Sequence, residues 1–198
     1  MAGSNEVLLV RHGETEDNAA DRFQGRRDTQ LNDRGREQSR ALARSLRGEG
    51  LRAIYTSPLQ RARATAAIVG AVLGLEPVLD ERLMEVDAGD WSGLLYTAVE
   101  QGELRRWRAA DPAFRFPGGE SVAEQAARVA AALADVAGGP LPALVVTHGG
   151  SIRSVAGIDS PPGGAIGNCA LFRLPAPAPS KFITSLGGRR QNPRHDHS

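Results

Sequence analysis

Two histidines, His12 and His148, each stand just past an apolar run and each is followed by glycine, in "LLVRHGETEDN" and "VVTHGG". Imidazole can act as a nucleophile or move a proton near neutral pH, and a glycine beside it lets a ligand or a backbone come close. A histidine at a strand end also serves to cap a carbonyl, and that plainer role stands open for either one alone. Arg11 and Arg61 add permanent positive charge, and a guanidinium matches a tetrahedral oxyanion with paired N–H donors. Asn18 offers a neutral donor. This chemistry suits a phosphoryl group better than a metal, because two histidines among arginines give a cationic site with few anionic ligands. There is no GxxxxGK[ST] loop for nucleotide phosphates and no GxSxG elbow for a serine nucleophile.

The elements that must position these groups can be read from periodicity. Val7 to Val10 is short and continuously apolar, as expected of a strand covered on both faces. Ala41, Leu42 and Leu46 recur at helical spacing, which predicts a helix over Gly35 to Arg47. Ala53 to Thr56 predicts a second strand, with Ser57 as N-cap and Pro58 opening a helix that ends at Gly74 and carries Arg61 in its first turns, where free amides also favour an anion. Pro77 to Leu79, Ala143 to Val146, Leu171 to Leu174 and Phe182 to Ser185 read as further strands. Ala98 to Ala109 reads as a helix, and "DPAFRFPGGES" as a loop. Ser121 with Glu124 forms a capping-box signature for an alanine-rich helix to Val136. Strands alternating with helices predict an α/β fold with a mostly parallel or mixed sheet covered on both faces, and ligands in such sheets sit beyond the carboxyl ends of the strands. Arg11 and His12, "TSPLQRA" and His148 all fall at such ends, so they are expected to converge on one crevice.

Composition narrows the function classes. The chain has 198 residues, enough for one α/β domain, with 41% hydrophobic and 24% charged residues. Aromatic residues make up 5%, which predicts an aliphatic, alanine-rich core. A formal net charge of +1 gives no field suited to nucleic acid or to an anionic membrane, so anion recognition must be local. The single cysteine, Cys169, allows no internal disulfide and fits a reducing compartment. Neither a basic-then-apolar leader nor an 18-residue apolar run is present, and a cytoplasmic location is expected. One domain over 1–186 is expected, with 187–198 a disordered tail whose His195 and His197 belong to a solvated segment rather than a metal site.

Six ordered stretches, "RHGETEDN", "FQGRRDTQLNDRGREQ", "TSPLQRARATA", "LMEVDAGDWSG", "FPGGES" and "VVTHGG", together resemble the histidine phosphatase superfamily, in the branch that includes cofactor-dependent phosphoglycerate mutases and small-molecule phosphatases of bacteria. The resemblance spans Val7 to about Arg153, with weaker agreement at "NCALFRL". It implies a three-layer α/β/α sandwich and His12 as the nucleophile, forming a phosphohistidine. Arg11, Asn18, Arg61 and His148 are then implied to hold the non-bridging phosphoryl oxygens, and Gln24 to contact substrate. Glu85 is implied as the acid that protonates the departing oxygen; the residues alone leave Glu81, Glu85 and Asp87 equivalent. Trp91 is expected to pack beneath this loop. Arg22, Arg26, Arg115 and Phe116 are candidates for an entrance that favours a second negative charge, with ordinary surface positions the plainer account.

Expected from this is a phosphatase that needs neither metal nor cofactor and acts on a small phosphorylated metabolite. A phosphoglycerate mutase and a non-catalytic phosphate-binding protein are the alternatives. Mutases of the family carry a longer insertion after the acid, whereas about 30 residues separate Glu85 from "FPGGES" here. The chain departs from the family after "THGG", where a longer apolar helix is replaced by one reaching Gly157 and broken at Pro161 and Pro162. A monomer or a homodimer, paired through an edge strand or the alanine-rich helix, is expected.

Overall fold

The computed structural model describes residues 5–156 and 166–175. Five strands form one sheet: β1 (Glu6–Arg11), β2 (Ala53–Thr56), β3 (Pro77–Leu79), β4 (Ala143–Thr147) and β5 (Leu171–Pro175), in the order β3-β2-β4-β1-β5. All neighbours are parallel except β5, which runs antiparallel along β1. The helices are α1 (Glu16–Ala19), α2 (Asp33–Ser45), α3 (Gln60–Leu73), α4 (Gln101–Arg108), α5 (Val122–Ala137) and α6 (Gly149–Ala156). The anticipated strand at 182–185, the tail 187–198 and the break at Pro161 lie outside the described residues.

The three layers follow from alternation along buried strands. Val7 and Leu9 of β1, with Ala143 and Val145 of β4, pack against Val129, Leu133 and Val136 of α5 and Ile152 of α6. Leu8 and Val10, with Leu144 and Val146, pack the other way against Leu42, Ala43 and Leu46 and against Ala62, Ala66 and Val69 of α3. Successive strand side chains point to opposite faces, so a continuous apolar run is what a doubly covered strand needs.

Helix boundaries move where capping chemistry decides them. Asn32, not the segment before Gly35, caps α2: its Oδ1 accepts the Gly35 N–H at 2.8 Å. Gly74 ends α3 in the left-handed region at φ 70°, where glycine has no steric penalty. Ser121 and Glu124 form the anticipated reciprocal capping box of α5, at 3.1 and 2.9 Å. The start of α3 corrects the reading of Ser57 and Pro58. The helix begins at Gln60 after Leu59, and its first amide donates to Asp28 Oδ1 at 2.7 Å, so a distant loop caps the helix, while Ser57 Oγ accepts the Leu59 N–H at 3.3 Å just before it. The expected helix over Ala98 to Ala109 divides into a 3-10 turn at Tyr96–Ala98 and α4.

The aliphatic core expected from composition holds for both faces of the sheet but not for the whole molecule. Phe23, Trp91, Phe114 and Phe116 are buried in a third cluster, with Tyr96 and Trp107 packed against it. Their ring centroids lie 4.5 to 6.2 Å apart in tilted and edge-on arrangements. This cluster gives the irregular chain between Glu81 and Ser121 a core of its own. Trp91 packs within it, as expected. Phe116 is 0% exposed and so lines no entrance. Arg115 is tied to Glu124 and to the Gly119 carbonyl. Arg26 faces Glu120 at 3.6 Å as a partly exposed ion pair. Of the four entrance candidates, Arg22 alone borders the cleft described below.

Candidate active site

Strand register brings the two histidines together. Arg11 pairs with Thr147 across the β1–β4 ladder, so the residues that follow, His12 and His148, emerge side by side. Their ring centroids are 5.1 Å apart. The ladder continues one step further, with the His12 N–H donating to the Thr147 carbonyl at 3.0 Å and the Ser57 N–H to the Val146 carbonyl at 3.1 Å. Ser57 is thereby set beside His148, and Ser57 Oγ and His148 Nε2 form a hydrogen bond at 2.8 Å. A residue whose sequence position suggests a helix cap thus becomes part of the site floor.

His12 is held in one tautomer. Its Nδ1 lies 2.6 Å from the carbonyl oxygen of Gly13, which can only accept, so Nδ1 carries the hydrogen and Nε2 the lone pair. Nδ1 thus takes the carbonyl-capping role, and Nε2 is left as an acceptor. Nε2 accepts from Arg61 Nε at 3.2 Å. Burial, then the charges of Arg61 and Arg11, push the imidazole well below its usual range, so it is neutral at pH 7. His148 is shifted the same way, first by burial and then by Arg61, His12 and Arg11.

Arg61, at the second position of α3, is fully buried, an expensive place for a cation unless its donors are satisfied. Two backbone carbonyls satisfy them: Arg27 accepts from Nη1 at 2.6 Å and Gly25 from Nη2 at 2.8 Å. Burial lowers its pKa to about 10, with Glu85 and Asp28 opposing the shift, so it remains charged at neutrality. Arg11 donates to the Ile166 carbonyl through Nη1, while its buried Nε has no partner among the described residues; the same holds for His148 Nδ1.

Glycine has a different use beside each histidine. A Cβ on Gly13 would lie 2.4 Å from the Gly35 carbonyl oxygen, and one on Gly35 would lie 2.1 Å from that of Glu14. The loop after His12 and the start of α2 therefore touch backbone to backbone. Gly149 leaves room for a side chain, with Arg11 Nε at 3.5 Å, whereas a Cβ on Gly150 would meet Glu85 Oε1 at 2.4 Å.

Arg11, His12, Asn18, Gln24, Arg61 and Glu85 line one cleft of about 380 Å³ including its open mouth, together with Arg22, Phe23, Tyr96 and Trp107. His148 lies against His12 at its floor, fully buried. All seven residues singled out from the sequence are thus in one place. Asn18 Oδ1 accepts from the Thr15 N–H at 3.3 Å and from Asn168 Nδ2 at 3.1 Å, which fixes its amide with the NH2 group away from both donors. Gln24 Oε1 accepts from the Thr29 hydroxyl at 2.6 Å. Among the described residues no group of three or more His, Cys, Asp or Glu side chains is placed to hold a metal, and no helix is long and apolar enough to cross a membrane.

Several residues in the site escaped the sequence reading. Ser57 was hidden by its resemblance to a cap, and Asn168 by its distance along the chain. Gln125 and Arg128 of α5 hold the acid segment. Arg128 donates to the carbonyls of Arg82, Met84 and Glu85 at 2.8, 2.6 and 3.0 Å and is anchored by Glu120 at 2.7 Å. For Gln125 there was a legible signal, a polar residue on the apolar stripe formed by Val122, Val129 and Leu133.

A cationic floor with a neutral imidazole, and a carboxyl group at its wall, is the chemistry expected for phosphoryl transfer. Comparison with known proteins agrees. The chain is 39% identical to phosphoserine phosphatase 1 of Hydrogenobacter thermophilus over 134 residues, covering 66% of this chain and 64% of that protein, just under two thirds of its length. A solved mycobacterial glucosyl-3-phosphoglycerate phosphatase with bound VO3 superposes with a TM-score of 0.76 at 32% identity, over 85% of this chain and 90% of the other. A phosphoglycerate mutase of Thermus thermophilus gives 0.70 at 30% identity, over 85% and 92%. The family model of the histidine phosphatase superfamily (branch 1) matches residues 7–161. With that match covering both histidines, both arginines and the acid segment, the chain belongs to the histidine phosphatase superfamily.

Proposed function

We infer that this protein is a metal-independent phosphatase that hydrolyses small-molecule phosphate monoesters through a phosphohistidine on His12. The observation that carries this reading is the fixed tautomer of His12: Nδ1 is committed to the Gly13 carbonyl, leaving Nε2 as the only nucleophilic nitrogen, in a ring kept neutral by its surroundings. In the ligand-free site that lone pair is occupied by Arg61 Nε. An arriving phosphoryl oxygen is the better acceptor for that N–H, so substrate binding itself frees the nucleophile.

The steps balance as follows. Nε2 attacks phosphorus, the P–O ester bond breaks, and protonated Glu85 gives its hydrogen to the departing alkoxide. Water then attacks phosphorus as its proton passes to the Glu85 carboxylate, the P–N bond breaks with its electron pair returning to Nε2, and inorganic phosphate leaves a neutral His12. Arg11 Nε, His148 Nδ1, the Asn18 amide and the Arg61 Nε released from His12 are the donors available for the non-bridging oxygens.

Hydrolysis is favoured over mutase transfer by the short segment after the acid. The carboxyl of Glu85, gripped at the cleft wall, is a device a mere phosphate binder would not need. The test is phosphate release from a panel of phosphorylated amino acids, glycerates, sugars and an aryl phosphate, with and without a chelator. Release unaffected by the chelator, and faster than transfer to any acceptor sugar acid, is expected. No turnover of any ester, or phosphoryl transfer that outpaces release, would contradict the reading.

A further inference from the structure

We propose that Gln125 is a positioning residue for the proton donor, fixing which oxygen of Glu85 carries the transferable hydrogen; this rests on the acid role given to Glu85 above. Gln125 is 1% exposed on the face of α5 that packs into the molecule. A primary amide in such surroundings is tolerated only when its hydrogens are used. Its Nε2 donates one to Glu85 Oε1 at 2.9 Å and the other to Ser151 Oγ at 3.2 Å.

The two oxygens of Glu85 are consequently unequal. Oε1 faces two donors, Gln125 Nε2 and the Val86 N–H at 2.9 Å. A hydroxyl there would point its hydrogen at other hydrogens, so Oε1 is an acceptor whether the carboxyl is charged or neutral. Among the described residues Oε2 faces a single donor, the Gly150 N–H at 3.0 Å, and retains a position for a hydrogen. The Gly150 backbone packs directly against Oε1, where a Cβ would lie 2.4 Å away, so the two oxygens sit in different surroundings. One turn along α5, Arg128 grips the backbone carbonyl of the same residue. Arg128 thus holds the acid's main chain and Gln125 its side chain, and the hydrogen that reaches the leaving group resides on Oε2.

A role confined to tying α5 to α6 through Ser151 would affect all substrates alike. An acid-positioning role affects only those that need a proton. The experiment compares Gln125→Met, similar in length but without a donor, and Gln125→Glu, which faces Glu85 with a second carboxyl, with Glu85→Gln as reference. Single-turnover phosphoenzyme formation is measured from an alkyl phosphate, whose alkoxide must be protonated, and from p-nitrophenyl phosphate, whose phenolate leaves unaided. Both Gln125 variants are expected to slow the alkyl ester about 10- to 100-fold, with the p-nitrophenyl rate and KM within about 3-fold of wild type. Equal losses on both esters, or none on either, beside a discriminating Glu85→Gln would overturn the proposal alone. A Glu85→Gln variant that slows both esters equally would overturn the acid role and this proposal together. Having two Gln125 variants keeps the ratio measurable should one fail to fold.

Discussion

The floor of the cleft and the arm that carries the acid are built in opposite ways. The floor consists of the first residues past β1, β2 and β4, delivered by a sheet whose register leaves His12, Ser57 and His148 few alternatives. The arm, from Glu81 to Ser121, has little regular structure; an aromatic cluster and two side chains of α5 fix it. On the function proposed above, phosphate is held by residues at the sheet ends, while protonation of the leaving group depends on a separately packed part. A consequence is that the two functions should be separable by mutation.

The largest effect is expected from the arm's own core. Phe116→Ala removes a fully buried ring that lies 4.9 Å from Phe114 and 5.2 Å from Trp91, and should cost about 3–5 kcal/mol in urea unfolding. If the arm packs separately, turnover should collapse while vanadate binding at the floor survives; loss of both together would break the distinction.

A smaller effect, belonging to the floor, is dependence on acid. Buried His12 and His148 are held neutral, with pKa values below the unfolded value of about 6.5, so the unfolded state binds more protons as pH falls. Stability should therefore be full above that value and decline below it, by up to roughly 2.7 kcal/mol per pH unit for the two rings. Unfolding free energies of wild type and His148→Gln between pH 7.5 and 5 check this, the variant showing about half the slope. An unchanged slope would remove His148 from the account.

Where floor and arm meet, Gly150→Ala places a methyl carbon against the Glu85 carboxyl, and about a 10- to 100-fold loss in kcat with an alkyl ester is expected. Gly149→Ala, with ordinary contact distances, should lose less than about 3-fold and serves as its control. The smallest effect is expected for Asn168→Ala, which releases the Asn18 amide and should raise KM by less than about 10-fold with kcat nearly unchanged. An equal fall in kcat would mean that Asn18 acts on the transition state rather than on binding.

The contrast also explains what could be read from the sequence. Val7 to Val10 and Ala143 to Val146 announce doubly covered strands because burial on both faces leaves a continuous apolar run, and the glycines and capping residues mark most helix ends. Residues at those strand ends could therefore be grouped from the sequence alone. Glu85 could be separated from Glu81 and Asp87 only by family resemblance, since what distinguishes it is the grip of Gln125 and the Gly150 N–H, 40 and 65 positions away. The aromatic cluster was illegible for a similar reason: a 5% aromatic content does not reveal that Phe23 meets Trp107 and Phe116 across so much chain. Ser57 followed by Pro58 has the local chemistry of a helix start, yet a tertiary partner, Asp28, caps the helix instead.

If Nε2 of His12 takes up the phosphoryl group, mixing the protein with a 32P-labelled phosphate ester and quenching within one turnover leaves label on the protein. That label is expected to be lost in acid and retained in base, as for a phosphorylated imidazole, to map to the peptide bearing His12 and to be absent from His12→Ala. A label that persists in His12→Ala, or hydrolysis without any phosphorylated protein at the earliest times, would contradict it.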